Sequence, residues 1–114
     1  MQRRNRIILE KILDITKFAL KIMDGVKQEN FLCNEEKQHS IAMTIIRIGE
    51  LVKNLTPEFR LKNPQVAWRD IAGFRDVAAH KYDTLIMSDV YSTVKNDFPE
   101  LKRQIEKILM ADND

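Results

Sequence analysis

Apolar residues return at alternating steps of four and three through the start of the chain, at Ile8, Ile12, Ile15, Ala19, Ile22 and Val26. That spacing lays a single stripe along an α-helix, whereas a strand would alternate every second residue. Leu9, Leu13, Leu20 and Met23 widen the stripe, so a helix with a broad buried face is expected from about Arg3 to Val26. The 114 residues include only three glycines and three prolines, which leaves few points at which the chain must abandon a helical path. An all-α fold follows.

The remaining elements are punctuated by capping signals. Val26 to Cys33 reads as a connection with Phe31 and Leu32 tucked onto the core. Asn34 before Glu35 and Glu36 is an N-cap followed by acids, and opens a second long helix whose stripe is Ile41, Ile45, Ile48, Val52 and Leu55. It should run antiparallel to the first, with Gly49 allowing another helix to come close. Thr56-Pro57 starts a short helix, Glu58 to Lys62, that Asn63-Pro64 ends. After a loop at Gln65 to Ala67, a third main helix is expected from Trp68 to Tyr82 or Asp83, with Trp68 as a core anchor. Ser88-Asp89 is the expected cap of the next helix, in which Val90, Tyr91 and Val94 face inward. Pro99 should break or kink it at Phe98, and Leu101, Ile105, Ile108 and Leu109 carry the last amphipathic segment. Ala111 to Asp114 should fray. The expected architecture is an up-and-down bundle of four main helices plus short ones, in a single domain spanning residues 1–114.

Composition narrows function by exclusion. A net charge of +2 is too small to indicate nucleic-acid binding by itself, so any RNA site must be local. The basic run Arg3, Arg4, Arg6 reads as a charged first helical turn. Cys33 is the single cysteine, so no internal disulfide can form, and a reducing, cytoplasmic setting is expected. Glu10, Lys11 and Asp14 interrupt the first apolar run, which therefore reads as neither signal peptide nor membrane span. Cys/His metal spacings and Gly-rich phosphate loops are not found, and neither a metal nor another cofactor is expected.

Chemistry concentrates in Gly73-Phe74-Arg75-Asp76-Val77-Ala78-Ala79-His80-Lys81-Tyr82-Asp83. On a helix Arg75 and Tyr82 share a stripe, Asp76 and His80 face each other one turn apart, and Arg75 and His80 diverge by roughly 140°. One helix therefore converges the set poorly, and two copies across a dimer axis would do better. Imidazole and guanidinium suit phosphodiester chemistry: His moves protons near neutral pH, and Arg holds a phosphate and stabilises the charge that grows on it. With RNA the neighbouring 2′-hydroxyl is the nucleophile, so that chemistry requires no metal.

Arg75-Asp76-x-x-x-His80-x-Tyr82 resembles the Arg-polar-x3-His core of the HEPN superfamily, with the Arg-x4-His-x-Tyr extension of HepT-type toxins. Ile48-Gly49-Glu50, Leu55-Thr56-Pro57-Glu58, Trp68-Arg69-Asp70-Ile71-Ala72-Gly73 and Phe98-Pro99-Glu100-Leu101 are similar to that family's flanking segments and come in the same order. The resemblance implies a homodimeric, metal-independent endoribonuclease, the toxin of a toxin–antitoxin pair, with Arg75 and His80 catalytic and Asp76 supporting. It also implies an MntA-type nucleotidyltransferase partner that silences the toxin by AMPylation of Tyr82, adding bulk and negative charge beside the site. The RNA target is tRNA or mRNA.

Two departures from the pattern bear on activity. Asp76 stands where HepT-type sequences often carry Asn, and a carboxylate there competes with substrate phosphate for Arg75. Ala78-Ala79 replaces a bulkier aliphatic pair. They keep open a second reading, a catalytically silent HEPN module that binds a nucleotidyltransferase, a nucleotide or RNA. Blander roles are also open. Arg75 could be a salt-bridge partner of Asp76 or Glu50, and Tyr82 a helix-end aromatic with its hydroxyl in water. Glu50 is read chiefly as a surface partner of Arg47, and His39 as a solvated helix residue.

Overall fold

The structure, a computed structural model, describes residues 1–112. Helix α1 spans Arg3–Met23, α2 Gln28–Phe31, α3 Glu35–Lys53, α4 Pro57–Lys62 and α5 Trp68–His80. A 3-10 turn at Tyr82–Thr84 follows, then α6 (Met87–Ser92), a π turn at Thr93–Asp97, and α7 (Phe98–Asp112). The last three form one uninterrupted helical run, so α1, α3, α5 and the run from Met87 are the four main helices of an all-α bundle.

Helix α1 lies between α3 and α7, and α5 packs on the far side of α3. Polar contacts fix the directions. Asn5, near the start of α1, meets Thr56 just beyond α3, whereas Lys37 at the start of α3 donates to the Ile22 carbonyl near the end of α1 at 3.2 Å. Arg6 pairs with Asp112, and Lys95 donates to the Met23 carbonyl at 2.5 Å. Both α3 and the final run are thus antiparallel to α1. The expected stripes form the core: Ile12, Ala19, Ile41, Val52 and Ile105 are fully enclosed, and Trp68 is buried with its indole N–H on the Asn63 carbonyl at 2.9 Å.

Asn34 caps α3 by accepting from the Lys37 amide at 3.0 Å, and Thr56 caps α4 by accepting from the Phe59 amide at 3.3 Å. Elsewhere the chain departs from the sequence expectation. The stretch from Val26 to Cys33 contains the turn α2, which buries Phe31 but leaves Leu32 exposed. Helix α6 begins at Met87 behind Ile86, so Ser88 sits inside the first turn and caps nothing. Pro99 does not break the helix. It lacks the N–H that would bond to Lys95, and the backbone widens into the π turn just before it. Helix α7 continues through Ala111 to Asp112, where Arg6 holds the carboxylate. Asn113 and Asp114, the rest of the segment expected to fray, lie outside the described residues.

Candidate functional site

The α3–α5 contact sets the position of the motif. Gly49 lies against Arg75, with no side chain of its own to keep α5 away. The Arg75 stem therefore starts close to the α3 surface, and its guanidinium reaches the next residue of α3. Nη2 of Arg75 lies 2.5 Å from Oε2 of Glu50, and Nη1 donates to Oδ1 of Asp76 at 3.0 Å. Lys53, one turn beyond Glu50, donates to the same Asp76 oxygen. Nη1 of Arg75 also stands 3.4 Å from Nε2 of His80. A guanidinium only donates, so a neutral imidazole meets it with the lone pair of Nε2.

Arg75 and His80 thus converge within one chain, contrary to the divergence expected on a regular helix. His80 is the last residue of α5, and the long Arg side chain bends along the helix to reach it. Asp76 bonds to Lys53 and Arg75, and its expected pairing with His80 is not observed. Of the two acids Asp76 contributes most, and with Glu50 it raises Arg75 above its ordinary value, so the guanidinium is permanently charged. Lys53 first, then Arg75, hold Asp76 below the usual carboxylate range. The bland reading of Arg75 as a salt-bridge partner is realised, with both acids at once, and the Arg47–Glu50 pair is replaced by Glu50–Arg75.

Tyr82 does not share a helical stripe with Arg75. Lys81 leaves helical geometry at φ −135°, and the Thr84 hydroxyl and amide both donate to its carbonyl, folding the chain into the 3-10 turn. The turn carries the Tyr82 ring back onto the start of α3. There it meets His39 edge-on, with centroids 5.4 Å apart. The hydroxyl is buried without a hydrogen-bond partner, so the reading of a phenol in water is corrected, whereas His39 stays exposed, as expected of a solvated helix residue, while touching the ring edge-on. Burial pushes the Tyr82 phenol up, and the nearby Asp83 and Glu35 charges add to this.

Sequence reasoning missed Lys53 altogether and gave Glu50 too small a part. Their signal was present: Glu50 and Lys53 are three residues apart, on the same face of α3 as Gly49, which was already expected to meet another helix. Among the described residues no group of three His, Cys, Asp or Glu side chains is arranged to hold a metal ion. None of the described helices is long and apolar enough to cross a membrane.

Residues 7–108 match the family model described as Ribonuclease HepT-like. The protein named "Putative RNase TTE0752" of Caldanaerobacter subterraneus subsp. tengcongensis is 34% identical over 107 residues, covering 94% of this chain and 96% of that protein. "Probable ribonuclease HepT" of Thermococcus cleftensis is 31% identical over 108 residues, covering 95% and 98%. "Putative RNase MJ0125" of Methanocaldococcus jannaschii is 33% identical over 102 residues, covering 90% and 84%. No solved structure matches at a comparable level. A match over most of the chain, to a family model and to relatives of nearly its own length, establishes that the chain belongs to the HepT-like ribonucleases of the HEPN superfamily.

Proposed function

We propose that this chain is a metal-independent endoribonuclease in which Arg75 and His80 act on the RNA phosphodiester. The observation that carries the reading is the 3.4 Å approach of Arg75 Nη1 to Nε2 of the exposed His80. A phosphate oxygen bound at Nη1 lies within reach of the imidazole. The 2′-oxygen attacks phosphorus as its proton leaves, the bond to the 5′-oxygen breaks, and that oxygen takes up a proton. The products are a 2′,3′-cyclic phosphate and a 5′-hydroxyl. Arg75 stabilises the extra negative charge on the phosphorane-like transition state, and His80 moves a proton. In a homodimer two copies of His80 meet one cleft, one for each proton.

In this reading the protein is the cytoplasmic toxin of a HEPN/MNT pair. An MntA-type nucleotidyltransferase silences it by attaching AMP to Tyr82. With the hydroxyl turned inward against α3, that enzyme acts on an opened form of the 3-10 turn. The second reading, a silent binding module, is favoured by the two carboxylates that occupy Arg75.

The deciding experiment is cleavage of total RNA by unmodified protein in EDTA, beside His80→Ala and Arg75→Ala variants of matched stability. Cleavage by the wild type alone is expected. An inert, well-folded wild type would hand the assignment to the binding module.

A further inference from the structure

A shallow groove of about 750 Å³ runs beside the catalytic cluster, between α4 and the first half of α5. Arg60 and Arg69 line it together with Trp68, Ala72, Gly73 and Asp76, the last of which is bonded to Arg75. Neither arginine pairs with a carboxylate among the described residues, and Nε of Arg60 is buried without a hydrogen-bond partner. Two charged side chains of the neighbouring motif are already engaged: Asp76 by Lys53 and Arg75, and Arg75 by Glu50 and Asp76. Asp70 also borders the groove, in the first turn of α5, so two unpaired guanidiniums face one acid that is not already bound by a cation.

Gly73 supplies a second observation. It sits in the middle of α5, where glycine costs about 1 kcal/mol against alanine, yet a Cβ added there would meet no atom of this chain within 4 Å. Packing within the chain therefore gives no reason for a glycine. What its absent side chain leaves is open space, accessible to an approaching ligand, in a groove that two cations also line.

We propose that this groove holds single-stranded RNA by its backbone, with Arg60 and Arg69 each taking a phosphate that flanks the one placed at Arg75 and His80. The inference rests on the ribonuclease reading of that cluster. Trp68 is almost fully buried and cannot serve as a stacking platform, so the groove contributes affinity with little base preference.

The test measures binding of a fluorescent 2′-O-methyl oligoribonucleotide, which cannot be cleaved, to the native protein across a salt series. Arg60→Gln/Arg69→Gln should weaken binding roughly ten-fold or more and reduce the slope of log affinity on log salt by about 1.4, the value for two single-strand phosphates. Gly73→Glu should weaken it as well while leaving thermal stability equal or higher, a combination that a folding defect cannot produce. Unchanged affinity and slope in the double variant, or no binding by the wild type, would overturn the proposal. So would a loss that vanishes when wild type and variant are compared at equal dimer content, which would assign the groove to a partner chain. Cleavage tested in parallel keeps the two readings apart: groove-dependent binding without cleavage sinks only the ribonuclease assignment, and cleavage with intact binding in the double variant sinks only the groove.

Discussion

A Cβ placed on Gly49 would stand 2.1 Å from Cβ of Arg75 and 3.2 Å from the Ile71 carbonyl oxygen. The first contact is with the rigid root of the side chain and the second is with backbone, so rotamer changes relieve neither. Gly49→Ala must push α5 away from α3. Overpacking of this kind costs about 1–3 kcal/mol, against which the better helix propensity of alanine returns about 1 kcal/mol. The expected outcome is a lower denaturant midpoint together with a larger proportional loss of RNA cleavage, because the displaced helix carries Arg75 with it. Cleavage unchanged at normal stability would show that the close approach is dispensable.

Glu50 fixes the Nη2 side of Arg75 and leaves Nη1 toward His80. Glu50→Ala should lower kcat roughly ten- to a hundred-fold, the order of loss for a misplaced catalytic group, with KM little changed. Glu50→Gln keeps an oxygen acceptor and should recover most of kcat. Steady-state kinetics decide the matter: higher activity in Glu50→Ala would mean that the carboxylate competes with phosphate and does not position the guanidinium.

Tyr82 buries a hydroxyl that bonds to nothing. Tyr82→Phe should therefore be neutral to stabilising, by up to about 1 kcal/mol, while removing the proposed acceptor for AMP. Because burial raises the phenol's folded pKa, the folded state keeps its proton when the unfolded chain has lost it. The resulting stabilisation is present below the ordinary tyrosine range and is lost as pH rises through the folded value. An alkaline titration of phenolate absorbance, wild type minus Tyr82→Phe, should show one group ionising above that range; a difference curve at the ordinary tyrosine value would contradict the burial.

Asn5 is nearly inaccessible and uses both ends of its amide on Thr56: Nδ2 donates to the hydroxyl at 3.0 Å, and Oδ1 accepts from the amide at 3.2 Å. The same hydroxyl caps α4. Asn5→Ala should cost about 1–3 kcal/mol by leaving these groups unpaired. Equilibrium unfolding is the measurement, and a change under about 0.5 kcal/mol, typical of an ordinary surface site, would show that water replaces the amide.

The helices that bury a stripe are legible in the order of residues alone, because periodicity and caps are local: Ile41 to Val52 cannot hide its apolar face any other way, and Asn34 and Thr56 stop or start the backbone where they stand. So are the motif and its family resemblance, since Arg75, His80 and Tyr82 are chemistry written in order along the chain. What those residues touch depends on how the helices pack. Whether Arg75 meets Glu50, Asp76 or His80 depends on how close α5 comes to α3, and that distance is set by Gly49 on a helix more than twenty residues away. The turn of Tyr82 onto His39, and the pairing of Lys53 with Asp76, likewise join residues that no local spacing relates. Period reports which face of a helix is buried; only packing in three dimensions fixes which polar groups are left to meet across it.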